Sequence, residues 1–103
     1  IWLIKTDASG QVLWNKVYGG INSEEANAIQ RTTDGGYIIV GYTSSFGVAG
    51  SDDIWLLKTN SAGDTLWTRT YGSSYYEEGK AVQQTSDGGY IILGETDSTS
   101  GGN

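Results

Sequence analysis

The sequence has no cysteine and no histidine. Without cysteine there is no disulfide, no thiolate nucleophile and no thiolate metal site. That absence does not decide the compartment, because many bacterial surface proteins lack cysteine too. Without histidine the commonest general base and the commonest metal ligand are gone. No Gly-x-Ser-x-Gly element offers a serine nucleophile. Basic residues are scarce: six Lys and Arg stand against twelve Asp and Glu, for a net charge of −6. A nucleic acid or an anionic membrane surface asks for a basic face, so neither is expected as a partner. No apolar run is long enough to span a bilayer and no signal peptide is visible, so membrane insertion is not expected either.

Glycine and aromatic residues are plentiful, with sixteen Gly, seven Tyr and four Trp in 103 residues. With many Thr and no long Leu/Ala/Glu/Lys tract, this composition predicts strands and tight turns in one small domain. Asp34-Gly35-Gly36-Tyr37 recurs 53 positions later as Asp87-Gly88-Gly89-Tyr90. Sliding residues 1–50 onto 54–103 without a gap matches 24 of 50 positions. Among the matches are Ile1-Trp2-Leu3 with Ile54-Trp55-Leu56, Trp14 with Trp67, and Glu24-Glu25 with Glu77-Glu78. A fixed period near fifty is the mark of a stacked repeat, here residues 1–53 and 54–103.

Each repeat predicts four strands. In the second copy these are Ile54–Thr59, Thr65–Tyr71, Lys80–Thr85 and Tyr90–Thr96. Glycine-bearing turns join the first pair and, at Asp87-Gly88-Gly89, the last pair. The run Ile38-Ile39-Val40 does not alternate with polar residues, so its strand is expected to be covered on both faces. Trp2, Trp14, Trp55 and Trp67 stand at repeating positions and are expected to pack between sheets, with Tyr37 and Tyr90 opening strands after the Gly35-Gly36 and Gly88-Gly89 turns. The chain opens in mid-pattern at Ile1-Trp2-Leu3-Ile4 and is expected to be a piece of something longer or a mature fragment.

These residues resemble kelch-like β-propeller repeats. They are more similar still to the D-G-G-Y…G-T…D-W-K-T-D…G…W…Y-G-G repeats of large secreted or surface proteins of bacteria and archaea. The resemblance covers essentially the whole chain in two copies. It implies an all-β propeller of four-stranded antiparallel blades, with half a blade, a full blade and half a blade in this chain. The strands Ala28–Thr32 and Ala81–Thr85 would be innermost, followed by the Tyr37 and Tyr90 strands, the Trp2 and Trp55 strands, and the outer Trp14 and Trp67 strands. The kelch glycine doublet is here a single glycine, Gly41 or Gly94, so kelch partner binding is not carried over. Gly10 to Trp14 resembles half of the tryptophan-docking motif of quinoprotein propellers, but the preceding Asp is wrongly spaced and no quinone site is expected. An extracellular or cell-surface location is implied.

Propellers close with roughly four to eight blades, so two blade-equivalents leave flanks open. Residues 79–96 of one copy are expected to pair with 1–18 of the next, three copies giving about six blades and four about eight. Equally, further repeats of a longer parent chain could complete the ring. Asn103 aligns with Gly50, so the repeat would continue head to tail after the equivalents of Ser51-Asp52-Asp53.

The longer loops Gly19–Asn27, Thr43–Asp53 and Gly72–Lys80 are expected on one face, opposite the turns Ala8–Gln11 and Asp34–Gly36. That loop face carries the candidate binding residues Glu24, Glu25, Phe46, Tyr75, Tyr76, Glu77 and Glu78. The acidic pairs have two readings: a ring of carboxylates for Ca²⁺ or a cationic ligand, or acceptors that fix each loop through backbone N–H groups. Asp52 and Asp53 are the remaining cation candidates, although no Asp-x-Asp-x-Asp-Gly loop is present. Tyr75-Tyr76 replaces Asn22-Ser23 of the first copy and suits sugar stacking, a protein contact or plain loop packing. No cofactor is expected. The function expected is that of a non-enzymatic scaffold and interaction platform, bound to copies of itself, to further blades or to another surface protein. A carbohydrate-binding propeller is the second reading, and part of an enzyme whose site lies elsewhere is the third.

Overall fold

The computed structural model describes residues 1–47 and 51–97. The alignment of Asn103 on Gly50 and the middle of the 43–53 loop lie outside the described residues. The described residues form eight strands and no helix. They are β1 (Trp2–Thr6), β2 (Val12–Val17), β3 (Glu24–Arg31), β4 (Tyr37–Thr43), β5 (Asp53–Thr59), β6 (Thr65–Tyr71), β7 (Glu77–Gln84) and β8 (Tyr90–Thr96). All pairing is antiparallel between chain neighbours. The strands make an N-terminal hairpin β1-β2, a central sheet β3-β4-β5-β6 and a C-terminal hairpin β7-β8.

The pairing register repeats with the sequence. Trp2↔Val17 through Thr6↔Val12 returns 53 residues on as Trp55↔Thr70 through Thr59↔Thr65. Glu24↔Thr43 through Arg31↔Tyr37 returns as Glu77↔Thr96 through Gln84↔Tyr90. The bulges recur too, at Ala26/Ala28 and Gly79/Ala81. The third strand of each unit therefore begins earlier than expected, β7 at Glu77 rather than Lys80. The bulge breaks the alternation there, and glycine lets the chain pass closely: a Cβ on Gly79 would lie 2.5 Å from Val40 Cγ2. Gly41, in the position of the missing kelch doublet, faces the same constraint, since its Cβ would fall 1.7 Å from the Glu25 carbonyl oxygen.

Turns set the hairpins. Gly35 and Gly88 both adopt φ +86°, a left-handed conformation that suits glycine in a tight turn. Asp34 and Asp87 accept bonds from the Thr32 and Thr85 hydroxyls and the Gly36 and Gly89 amides, which locks each turn.

The core has two layers, one on each face of the central sheet. Ile39, Trp55 and Leu57 point to the N-terminal hairpin and pack with Tyr18, Ile1 and Leu3. Ile38, Val40 and Leu56 point to the C-terminal hairpin and pack with Val82, Tyr90 and Ile92. β4 is thus covered on both faces, which accounts for its unbroken apolar run. Between neighbouring sheets the aromatic contact is made twice. Trp14 meets Tyr37 edge-on at 6.3 Å and 62°, and Trp67 meets Tyr90 at 5.9 Å and 63°.

Candidate functional site

The segments 18–23, 44–47, 51–52 and 72–76 lie at one end of the sheets, and the tight turns lie at the other. The acidic pairs are not in the loops as expected. Glu24-Glu25 and Glu77-Glu78 open β3 and β7, because strand pairing with Thr43 and Thr96 already starts at the first glutamate of each pair.

Within each pair the two carboxylates do different things, because neighbouring strand residues point to opposite faces. Glu24 accepts the Gly20 amide at 2.9 Å and the Thr43 hydroxyl at 2.7 Å. Glu77 accepts the Ser73 amide at 2.9 Å, the Ser73 hydroxyl at 3.0 Å and the Thr96 hydroxyl at 2.7 Å. Each carboxylate braces the incoming loop to the end of the adjacent strand. Burial pushes both carboxyls up, but the hydrogen bonds outweigh it and hold both below the ordinary range.

Glu25 and Glu78 lie on the other side of their strands. A hydrogen bond to Glu25 pushes the Tyr42 phenol up to about 12, helped by burial and by the charges of Glu25, Glu78 and Asp52. Glu78 pairs with Lys80 at 2.9 Å, and Lys80 also reaches Glu95 at 3.7 Å. Asp52 is held above the usual carboxylate range by burial and by the negative charges of Glu78 and Asp53. Asp53 is buried, and its carboxylate fills the space beside Gly47 and Gly72, where a Cβ would stand 1.9 and 2.4 Å from its oxygens. Among the described residues no three acidic side chains converge as a metal site would require.

The chain matches no protein-family model and no curated protein.

Phe46 lies on Trp55, ring centroids 5.4 Å apart, which ties residues 44–47 to the core. Tyr75 and Tyr76 are both exposed, and their backbones are fixed by Ser73 and Asp97. Of the two, Tyr76 and not Tyr75 lines an open cleft of about 640 Å³ at this end of the molecule. Its other walls include Ile21, Asn22, Ser44 and Asp52. The two tyrosines are thus not a joint platform on one cleft.

The remaining expected structural residues sort by burial. Trp55 is buried, Trp14 and Trp67 are half-buried in the sheet-to-sheet contacts, and Trp2 is exposed. Sequence reasoning passed over Thr43 and Thr96, whose identity in both copies was the available signal. It also passed over Ile21 and Tyr42, whose places in the other copy are taken by Ser74 and Glu95.

Proposed function

We propose that this chain is a blade-forming, non-enzymatic β-propeller module of a secreted or cell-surface protein, serving as a rigid scaffold and interaction platform. One observation carries the reading: the sheet-to-sheet contact is made twice, with the same residues, the same edge-on geometry and a period of 53 positions. A contact that repeats by a fixed step is how blades propagate around an axis. The kelch-like resemblance of the repeat agrees with this, and it supplies the extracellular setting. The carboxylates support the same reading, since Glu24 and Glu77 hold loops rather than converge on a substrate. Other copies of the chain or further repeats would complete the ring.

The test is a tandem chain of three copies, each joined through a further Ser-Asp-Asp as the repeat spacing asks. A compact, disc-shaped particle with one cooperative unfolding transition is expected from small-angle scattering and calorimetry. An extended or aggregating tandem chain would sink the propeller reading.

Carbohydrate binding is the second reading, favoured by the cleft between Tyr76 and Ile21 with amide, hydroxyl and carboxylate groups in its walls. An aromatic ring beside such groups suits a sugar. Glycan-array binding that is lost in Tyr76→Ala and kept in Tyr75→Ala is the expected pattern. A blank array across broad glycan classes would remove this reading.

A further inference from the structure

On β1 and β8, four exposed apolar side chains have buried counterparts one repeat away. Trp2 is 68% exposed and Trp55 4%; Ile4 is 45% exposed and Leu57 1%. At the other end of the chain, Ile91 is 62% exposed and Ile38 0%; Leu93 is 67% exposed and Val40 0%. The buried members all lie in β4 and β5, which pair with each other. The exposed members lie in their equivalents, β8 and β1, each of which pairs on one side only among the described residues.

We infer that β8 of one copy pairs antiparallel with β1 of a second copy, in the register that β4 and β5 already use. This rests on the propeller reading above and names its partner. The internal pairs Ile38↔Lys58, Ile39↔Leu57, Val40↔Leu56 and Gly41↔Trp55 become Ile91↔Lys5, Ile92↔Ile4, Leu93↔Leu3 and Gly94↔Trp2 between copies.

Three details fit this occupant. First, a Cβ on Gly36 would lie 2.1 Å from the Thr59 carbonyl oxygen, so β5 forces glycine there. Gly89 holds the same place in the second repeat, yet its nearest neighbours stand 3.1 Å away or more. In the inferred register the carbonyl of Thr6 from the second copy faces it. Second, the buried Lys58 ammonium bonds Asp34 at 3.0 and 3.2 Å and the Thr59 carbonyl at 2.8 Å. Lys5 and Asp87 are the matching halves, separated at the two ends of the chain. Third, the flanks carry apolar grooves of the right place and size. One of 260 Å³ beside β1 includes Leu3, Ile29 and Ile39, and on the second copy it receives Ile91 and Leu93 of the first. One of 240 Å³ on the other flank includes Leu56, Tyr71 and Ile92, and receives Trp2 and Ile4.

The absence of cysteine allows a clean test of register. Lys5→Cys with Ile91→Cys in one chain should, under mild oxidation, give disulfide-linked multimers on a non-reducing gel. Ile4→Cys with Ile91→Cys, one residue out of register, should not, because a one-residue slip turns the side chains to opposite faces. Tyr42→Cys with Ile54→Cys is the control for the central sheet and should close within one chain. If the control closes and the 5/91 pair does not link copies, or the 4/91 pair links as well, the inference falls while the blade reading stands. If the control also fails to close, both fall. Gly89→Ala gives an independent readout: its circular dichroism should match the parent chain, and its mass by light scattering should drop to that of a monomer. An unchanged mass would overturn the inferred contact.

Discussion

Thr68→Asn should stabilise the protein. Trp55 is buried, and its indole N–H has no hydrogen-bond partner among the described residues. In the first repeat the equivalent Trp2 donates its N–H to Asn15 Oδ1 at 3.2 Å. Asn15 corresponds to Thr68, which pairs with Leu57 on the face that Trp55 occupies. An unmet buried donor costs about 1–3 kcal/mol. Asparagine is a poorer strand residue than threonine by up to about 1 kcal/mol, which offsets part of the gain. A net gain of about 1 kcal/mol remains. For a chain of this size that is a rise in Tm of about 4–8 °C. Urea denaturation followed by tryptophan fluorescence, at fixed protein concentration, should show a higher midpoint with an unchanged slope. The reverse change, Asn15→Thr, removes a bond that is solvent-exposed in the single chain, and on the monomeric Gly89→Ala background it should cost less than about 0.5 kcal/mol. A midpoint for Thr68→Asn that is unchanged or lower would refute the argument, because the indole would then be satisfied by another route.

Glu77→Gln keeps the shape but loses the charge of a brace holding two hydroxyls and an amide, and should cost about 1–2 kcal/mol at neutral pH. Glu24 and Glu77 are held below their ordinary value of 4.5, so their stabilisation is present above that pH and is lost as pH falls through the folded-state values. The acid limb of a stability profile should flatten in Glu77→Gln. Asp52 is shifted the opposite way, so Asp52→Asn should raise the unfolding midpoint at neutral pH and leave it unchanged in acid. Leu56→Ala empties a site in the core layer shared with Val82 and should cost about 2–5 kcal/mol by denaturant titration. Gly41→Ala places a methyl group on the Glu25 carbonyl and should abolish the cooperative transition seen by circular dichroism.

The strand order and most strand limits were legible because glycine turns punctuate the chain and the repeat writes each element twice. The start of β7 was not, because the Gly79/Ala81 bulge interrupts the period on which strand recognition depends. Nothing in the sequence announces that Lys58 is buried. It is buried because the β3–β4 turn brings the Asp34 carboxylate over it, a contact set by tertiary structure alone. The two glutamates of each pair look alike in sequence, and only the strand direction sends one to a loop and the other to Tyr42 or Lys80. The cleft beside Tyr76 draws its walls from all three long segments, so no local pattern announces it.

The sheet boundaries and the sequence repeat are out of phase by half a unit: the central sheet takes β3 and β4 from the first repeat, and β6 with nearly all of β5 from the second. A genetic duplication or loss of one whole period therefore changes how many sheets there are without altering either terminal strand. With the β8–β1 pairing inferred above, the number of units could drift while the two end strands kept the same register, so size would vary without a new joint.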